Sequence, residues 1–197
     1  DIAIELDIVT KNYASFVKIG EKQKSEKHSM FTKDEISKLF DVVFSEPYAD
    51  TVLILIYTGM RPSELLSIRI SDVHIDERYI IGGVKTKAGK NRVIPINNKV
   101  YPLILKRYDK NNVFLVQNNG HSISYSQYAK RFAELMSRLD MQHLPHDGRH
   151  TFASLANTAG VNDTAIKLIM GHASSDLTER VYTHKSISEL LNAVNMI

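Results

Sequence analysis

The last third of the chain, from His146 to His184, concentrates the residue types that do chemistry. A His-x-x-Arg pair, His146 and Arg149, opens it; Gly171 and His172 sit in the middle; Tyr182, in the run RVYTH, closes it. Arginine presents a rigid fork of donors to phosphate oxygens. Histidine takes up or gives a proton near neutral pH. Tyrosine is a weak nucleophile at its ordinary pKa and needs neighbours to activate it. Together these are the types that handle a phosphodiester without a metal. Taken singly, each is better explained as an ordinary surface or core residue of a helical domain.

Other chemistries leave weaker marks. His146 and His150 have the i, i+4 spacing of a zinc pair, but the Glu of HExxH is missing and no carboxylate cluster accompanies them. There is no G-x-S-x-G elbow, no P-loop and no dinucleotide fingerprint. Composition alone leaves a Ser-His-Asp triad open, and nothing points to one. Arginine-based phosphate chemistry with a tyrosine nucleophile is the option that remains.

The elements that must position these residues are mostly helical. Thr32 and Glu35 form a capping box ahead of Ile36, Leu39, Phe40 and Val43 at helical spacing. An apolar helix runs from about Ala49 to Tyr57, with Gly59 as its stop. Arg61 then precedes Pro62 at a first helical position, followed by Glu64, Leu65, Leu66 and Ile68. A cation at a helix start opposes the macrodipole, so Arg61 is either exposed and harmless or held for a ligand. Glu64, one turn on, is close enough to orient it by an ion pair.

Residues 72–96 change period: VHID, RYIIGGVK and NRVIPI read as three short strands. KTKAGKN holds Lys85, Lys87 and Lys90 around a Gly, as a solvated turn or as a basic finger that reaches a phosphate or donates a proton. Helical pattern returns from Asn97 to about Tyr108, a short apolar piece NVFLV follows, and Ser124–Leu139 is an amphipathic helix. That helix carries Lys130, Arg131 and Arg138, a basic face suited either to a DNA backbone or simply to water. Asp147–Ala159 and Asp163–Met170 read as helices closed by Gly160 and Gly171, with a third helical piece from Ser175 to about Tyr182. Ser186 and Glu189 start a short tail, Ile187–Ile197, with Leu190, Leu191 and Val194 on one side, for its own core or for a neighbouring subunit.

Composition sets the bounds. The 197 residues, 43% apolar and 24% charged, are those of about one globular domain. There is no cysteine, which excludes disulfides and thiolate metal sites and fits a reducing cytosol. A net charge of +3 permits a nucleic-acid partner without demanding one. The longest apolar run, Thr51–Tyr57, is too short to span a bilayer. Residues 1–20 have too few apolar residues to fold alone, and GEKQKSEKHSM has the composition of a linker or equally of a plain surface loop; a boundary is expected near residues 21–30. The chain starts at Asp1, as a fragment of something longer would.

Four segments in order, TGMRPSELLSIR, VKTKAGKNRVIPI, LPHDGRHTFAS and IMGHASSDLTERVYTH, resemble the motifs of the tyrosine recombinase (phage integrase) family. They run from Thr58 to His184, most of the chain, and are highly specific together although weak singly. The KTKAGKNRVIPI hairpin and RVYTH are similar to integrases of conjugative transposons and temperate phages of Gram-positive bacteria. The resemblance implies an α+β, mainly helical catalytic fold with a small three-stranded antiparallel sheet. It implies residues 31–197 as the catalytic domain with 186–197 as its tail, and residues 1–20 as the remnant of a preceding core-binding domain.

The resemblance also implies roles. Arg61 and Arg149 would clamp the non-bridging oxygens of the scissile phosphate and stabilise the pentacoordinate transition state. Glu64 would support Arg61. Lys85, or Lys87 two positions on, would protonate the leaving 5′ oxygen. His146 would assist as base or proton shuttle, His172 would hydrogen-bond the phosphate, and Tyr182 would attack phosphorus to give a 3′-phosphotyrosyl link and a free 5′ hydroxyl. Lys87, Lys90, Lys130 and Arg131 would contact DNA. No metal or cofactor is implied. The partners implied are double-stranded DNA, three further copies in a tetramer joined through the C-terminal tail, and DNA-bending or directionality factors, all in a bacterial cytoplasm. One departure is Gly148, where the family often has a bulkier apolar residue. A type IB topoisomerase-like relaxing enzyme shares the Arg/Lys/His/Tyr set, and an inactive DNA-binding module is the other alternative. The tail favours a recombinase over the first, and the intact set of six argues against the second.

Overall fold

Ten residues, ADTVLILIYT, are apolar nearly all round and so must lie inside a protein. They do. The computed structural model describes residues 29–83, 91–118, 120–171 and 186–197. In it the central helix, α2 (Ala49–Thr58), has Leu53, Ile54, Leu55 and Ile56 fully buried. Before it comes α1 (Lys33–Asp41), started by the expected Thr32/Glu35 capping box. After it, Gly59 takes a left-handed conformation and ends the helix. A one-turn helix, α3 (Pro62–Leu65), and a 3₁₀ turn at Ile70–Asp72 follow.

The sheet is antiparallel in the order β1 (Val73–His74), β2 (Tyr79–Gly82), β3 (Arg92–Pro95). Its register pairs Ile80 with Ile94 and Gly82 with Arg92. The first strand is shorter than VHID because the chain turns at once, with Arg78 at a φ of 60°.

Helix α4 (Tyr101–Arg107) also starts later than the pattern suggests. The Asn97 carboxamide takes up local backbone groups instead, its Oδ1 accepting from Lys99 N at 2.7 Å. The NVFLV piece is an added edge rather than a free-standing strand. Ile70 N donates to Val113 O at 3.1 Å and Leu115 N to Ile68 O at 3.0 Å. A two-residue hairpin, β4 (Gln117–Asn118) with β5 (His121–Ser122), leads into α5 (Tyr125–Arg138).

Helices α6 (Asp147–Thr158), α7 (Asp163–Met170) and α8 (Ile187–Val194) build a second core. Phe152, Ala156, Ile166, Ile169, Leu190 and Val194 meet there. The tail helix α8 therefore packs on its own chain, and Asn97 Nδ2 donates to the Val194 carbonyl at 2.5 Å to hold it. Helix α6 crosses α2 closely at Gly148, where an added Cβ would stand 3.0 Å from Leu55 Cβ. The departure from a bulkier residue is thus matched by a close helix approach. Among the described residues no helix is long and apolar enough to cross a membrane. The proposed remnant at 1–20, most of the 21–30 linker, and the helical piece expected at Ser175–Tyr182 lie outside the described residues.

Candidate active site

The short helix α3 starts at a cation because the neighbouring carboxylate holds it there. Arg61 is the residue before the helix; its backbone N–H donates to Glu64 Oε2 at 2.8 Å and its Nη1 to Glu64 Oε1 at 3.2 Å. About 23% of its side chain stays exposed, so the group is held by Glu64 yet still partly accessible.

Glu64 itself is buried. Its main partner lies 28 residues away: Arg92, on β3, donates Nη1 to Oε1 at 2.9 Å and Nη2 to Oε2 at 2.8 Å, a two-pronged buried ion pair. Burial alone would raise the Glu64 carboxyl. The Arg92 hydrogen bonds, the Arg61 N–H and the charges of both arginines reverse this and hold it at about 2.

Arg149, on the first turns of α6, is also buried and bridges two chain reversals. Its Nη1 donates to the Gly59 carbonyl and its Nη2 to the Met170 carbonyl, both at 2.7 Å. Burial first, then the positive charge of Arg61, lowers its pKa to about 10, partly offset by Glu64. It remains charged at neutral pH. Two guanidinium groups, of Arg61 and Arg92, thus share one buried carboxylate, and Arg149 is close enough to feel the charges of all three. The surplus of positive charge is suited to an anion.

His146 precedes α6 by one residue, half-buried, with its ring centroid 6.4 Å from that of Tyr125. The backbone ties it to Arg149, whose N–H donates to His146 O at 3.1 Å. Asp147, buried beside it, accepts from Leu144 N at 2.8 Å and fixes the turn into the helix. Among the described residues, His146 and His150 join no group of three or more possible metal ligands.

Lys130 is exposed on α5. Arg131 is engaged closer to home: its guanidinium lies over the Tyr48 ring at 5.0 Å and donates to the Tyr48 hydroxyl. Arg138 pairs with Glu46 at 2.8 Å. Lys85, Lys87, Lys90, His172 and Tyr182 lie outside the described residues.

Arg92 is the residue the sequence reading missed. Its signal was present: with a two-residue period it shares a strand face with Ile94, and both are buried. A charge on a core face needs a buried partner.

Gly59 is equally constrained. At a φ of +65°, an added Cβ would lie 2.6 Å from the Phe152 ring. Gly59→Ala is therefore expected to cost about 2–4 kcal/mol, from left-handed strain and overpacking together. A denaturant melt checks this; an unchanged midpoint would show that the turn relaxes freely.

Comparison with known proteins fits this geometry. Residues 29–189 match the Phage integrase family. The chain belongs to that family. It is 28% identical over 174 residues to the tyrosine recombinase XerA of Pyrococcus furiosus, covering 83% of this chain and 59% of XerA. It is 27% identical over 230 residues to the transposase from transposon Tn916 of Enterococcus faecalis, covering 96% of this chain and 56% of the transposase. The chain thus spans less than two thirds of the length of these relatives. In fold it is similar to the Tn1549 transposon integrase solved with circular intermediate DNA, with a TM-score of 0.69 at 22% identity over 95% of this chain and 72% of that one. The expected mainly helical catalytic fold with a small three-stranded antiparallel sheet is the observed one.

Proposed function

We propose that this chain is the catalytic part of a site-specific DNA recombinase that integrates and excises a mobile element. The observation that carries the reading is the Arg61–Glu64–Arg149 arrangement, two fixed guanidinium groups beside a buried carboxylate, in a chain of the integrase family. The relatives' names point the same way, one being a tyrosine recombinase and the other a transposase.

In this reading Arg61 and Arg149 clamp the non-bridging oxygens of the scissile phosphate. Their charge matters most where charge builds up, in the pentacoordinate transition state. The Tyr182 oxygen attacks phosphorus, giving its proton up with help from His146, while His172 hydrogen-bonds the phosphate. The bond from phosphorus to the 5′ oxygen breaks, and Lys85, or Lys87, supplies that oxygen with a proton. A 3′-phosphotyrosyl link and a 5′ hydroxyl result. The covalent link conserves the phosphodiester energy, so a second 5′ hydroxyl attacks it with no need for ATP, metal or other cofactor.

Lys87, Lys90, Lys130 and Arg131 are proposed DNA contacts, Arg131 after leaving or sharing its Tyr48 stack. Residues 1–20 are proposed as the end of a core-binding domain and 21–30 as the linker to the catalytic domain at 31–197. The working form is proposed to be a tetramer on double-stranded DNA, joined by the 186–197 tail exchanging its berth beside Asn97 for the equivalent one on a neighbour. DNA-bending or directionality factors would complete the assembly, at the nucleoid of a bacterial cell.

The discriminating experiment supplies the full-length protein with two labelled duplexes carrying the element's own ends. Recombinant strands joined across the duplexes are the expected product. Relaxation of a supercoiled plasmid with no exchange would instead make it a topoisomerase-like enzyme. Binding with no cleavage would make it an inactive DNA-binding module.

A further inference from the structure

Arg92 belongs to none of the roles above, yet among the described residues of the site it is the most heavily committed cation. It is buried on β3, it grips both oxygens of Glu64, and its Nε donates to the Ile169 carbonyl at 2.7 Å. The next carbonyl, that of Met170, is held by Arg149. The last carbonyls of a helix have no partner within it and carry the negative end of its dipole. Two arginines thus cap the end of α7 side by side, one residue ahead of Gly171 and His172. Arg92 also stands at the start of the strand that follows the lysine-bearing segment 84–90.

The consequence concerns Arg61. Glu64 Oε1 accepts from both Arg61 Nη1 and Arg92 Nη1, and Oε2 from both the Arg61 N–H and Arg92 Nη2. The carboxylate that aims Arg61 is therefore itself aimed by Arg92. Without the two-pronged grip the carboxylate is held by Arg61 alone, through its backbone N–H and Nη1, and the direction of the Arg61 guanidinium is no longer set by the sheet.

We propose that Arg92 is a positioning residue for DNA cleavage, holding Glu64 and the end of α7 so that Arg61 and Arg149 meet the phosphate in a fixed geometry. This rests on the recombinase reading. It differs from a purely structural ion pair in one respect: it predicts a defect specific to charge on the non-bridging oxygens.

The test uses single-turnover cleavage by the full-length protein of a pre-bound nicked duplex with either a normal scissile phosphate or a neutral methylphosphonate. Arg92→Lys keeps the charge but cannot grip two oxygens and a carbonyl at once. Arg92→Met removes the charge, and thermal melts report whether each variant folds. With DNA affinity near that of the wild type, Arg92→Lys is expected to slow cleavage of the phosphate about 100-fold. On the methylphosphonate, which has less charge to clamp, the loss should shrink to about 10-fold or less, again on the scale of a weakened transition-state contact. An equal loss on both substrates, or no loss on the phosphate, would overturn the positioning role. If the wild type itself cleaves neither, it is the recombinase reading that fails, and the two failures are distinct.

Discussion

Arg149→Ala is expected to lower single-turnover DNA cleavage by about three powers of ten or more, the scale seen when a preorganised charge partner of a transition state is removed. The structural basis is that Arg149 is held before any DNA arrives. Two of its donors are engaged by the Gly59 and Met170 carbonyls, which fix the plane of the guanidinium. The same bonds predict a second effect. The two carbonyls lose their partner, at about 1–3 kcal/mol for each one that water does not reach. Arg149→Lys should recover little, since an ammonium cannot bridge both carbonyls and present a fork. Cleavage rates at saturating DNA, beside denaturant melts, separate the two effects. Near-normal cleavage by a folded Arg149→Ala protein would remove Arg149 from the clamp.

Glu64→Ala is expected to be the most destabilising change in the site, by about 3–5 kcal/mol, because it strands the buried guanidinium of Arg92 without its counter-charge. The carboxyl's shift from 4.5 to about 2 points to the same order, about 3 kcal/mol. The sign follows from the direction of that shift. A lowered carboxylate pKa stabilises the fold fully above pH 4.5, and the stabilisation is lost as the pH falls through about 2. The wild type should therefore lose stability over that window more steeply than Glu64→Gln, which has no carboxylate to protonate there. Melting temperatures of both proteins between pH 5 and pH 2 give the comparison. Parallel curves would mean that Glu64 contributes nothing to acid stability.

Much of this site was legible in residue types and spacing, because local chemistry fixes it. Thr32 with Glu35 and Ser186 with Glu189 announce helix starts that form as read, and the helix expected from Ser124 forms with Gln127 completing its cap. Gly59 and Gly171 announce stops, and both adopt the left-handed conformation. Arg61 and Glu64, three residues apart, announce their own ion pair.

What escaped depends on contacts across long stretches of chain. The partnership of Arg92 with Glu64 needs the sheet and α3 to meet, which no window of sequence contains. The late start of α4 depends on Asn97, whose amide also reaches the Val194 carbonyl 97 residues away. The short apolar piece at 113–115 pairs with an irregular stretch at 68–70, which has no strand pattern of its own to announce it. Arg131 read as a free cation on a basic helix face; its stack on Tyr48 joins residues 83 apart.

The central claim is a covalent one, that Tyr182 takes the phosphate with no metal. The most direct measurement incubates the full-length protein with a nicked suicide duplex of its own DNA end in EDTA, denatures the mixture, and maps any peptide that keeps DNA attached. The expected result is an adduct on Tyr182 that vanishes in Tyr182→Phe while DNA binding persists. An adduct on another residue, cleavage that needs a divalent metal, or an undiminished adduct in Tyr182→Phe would contradict it.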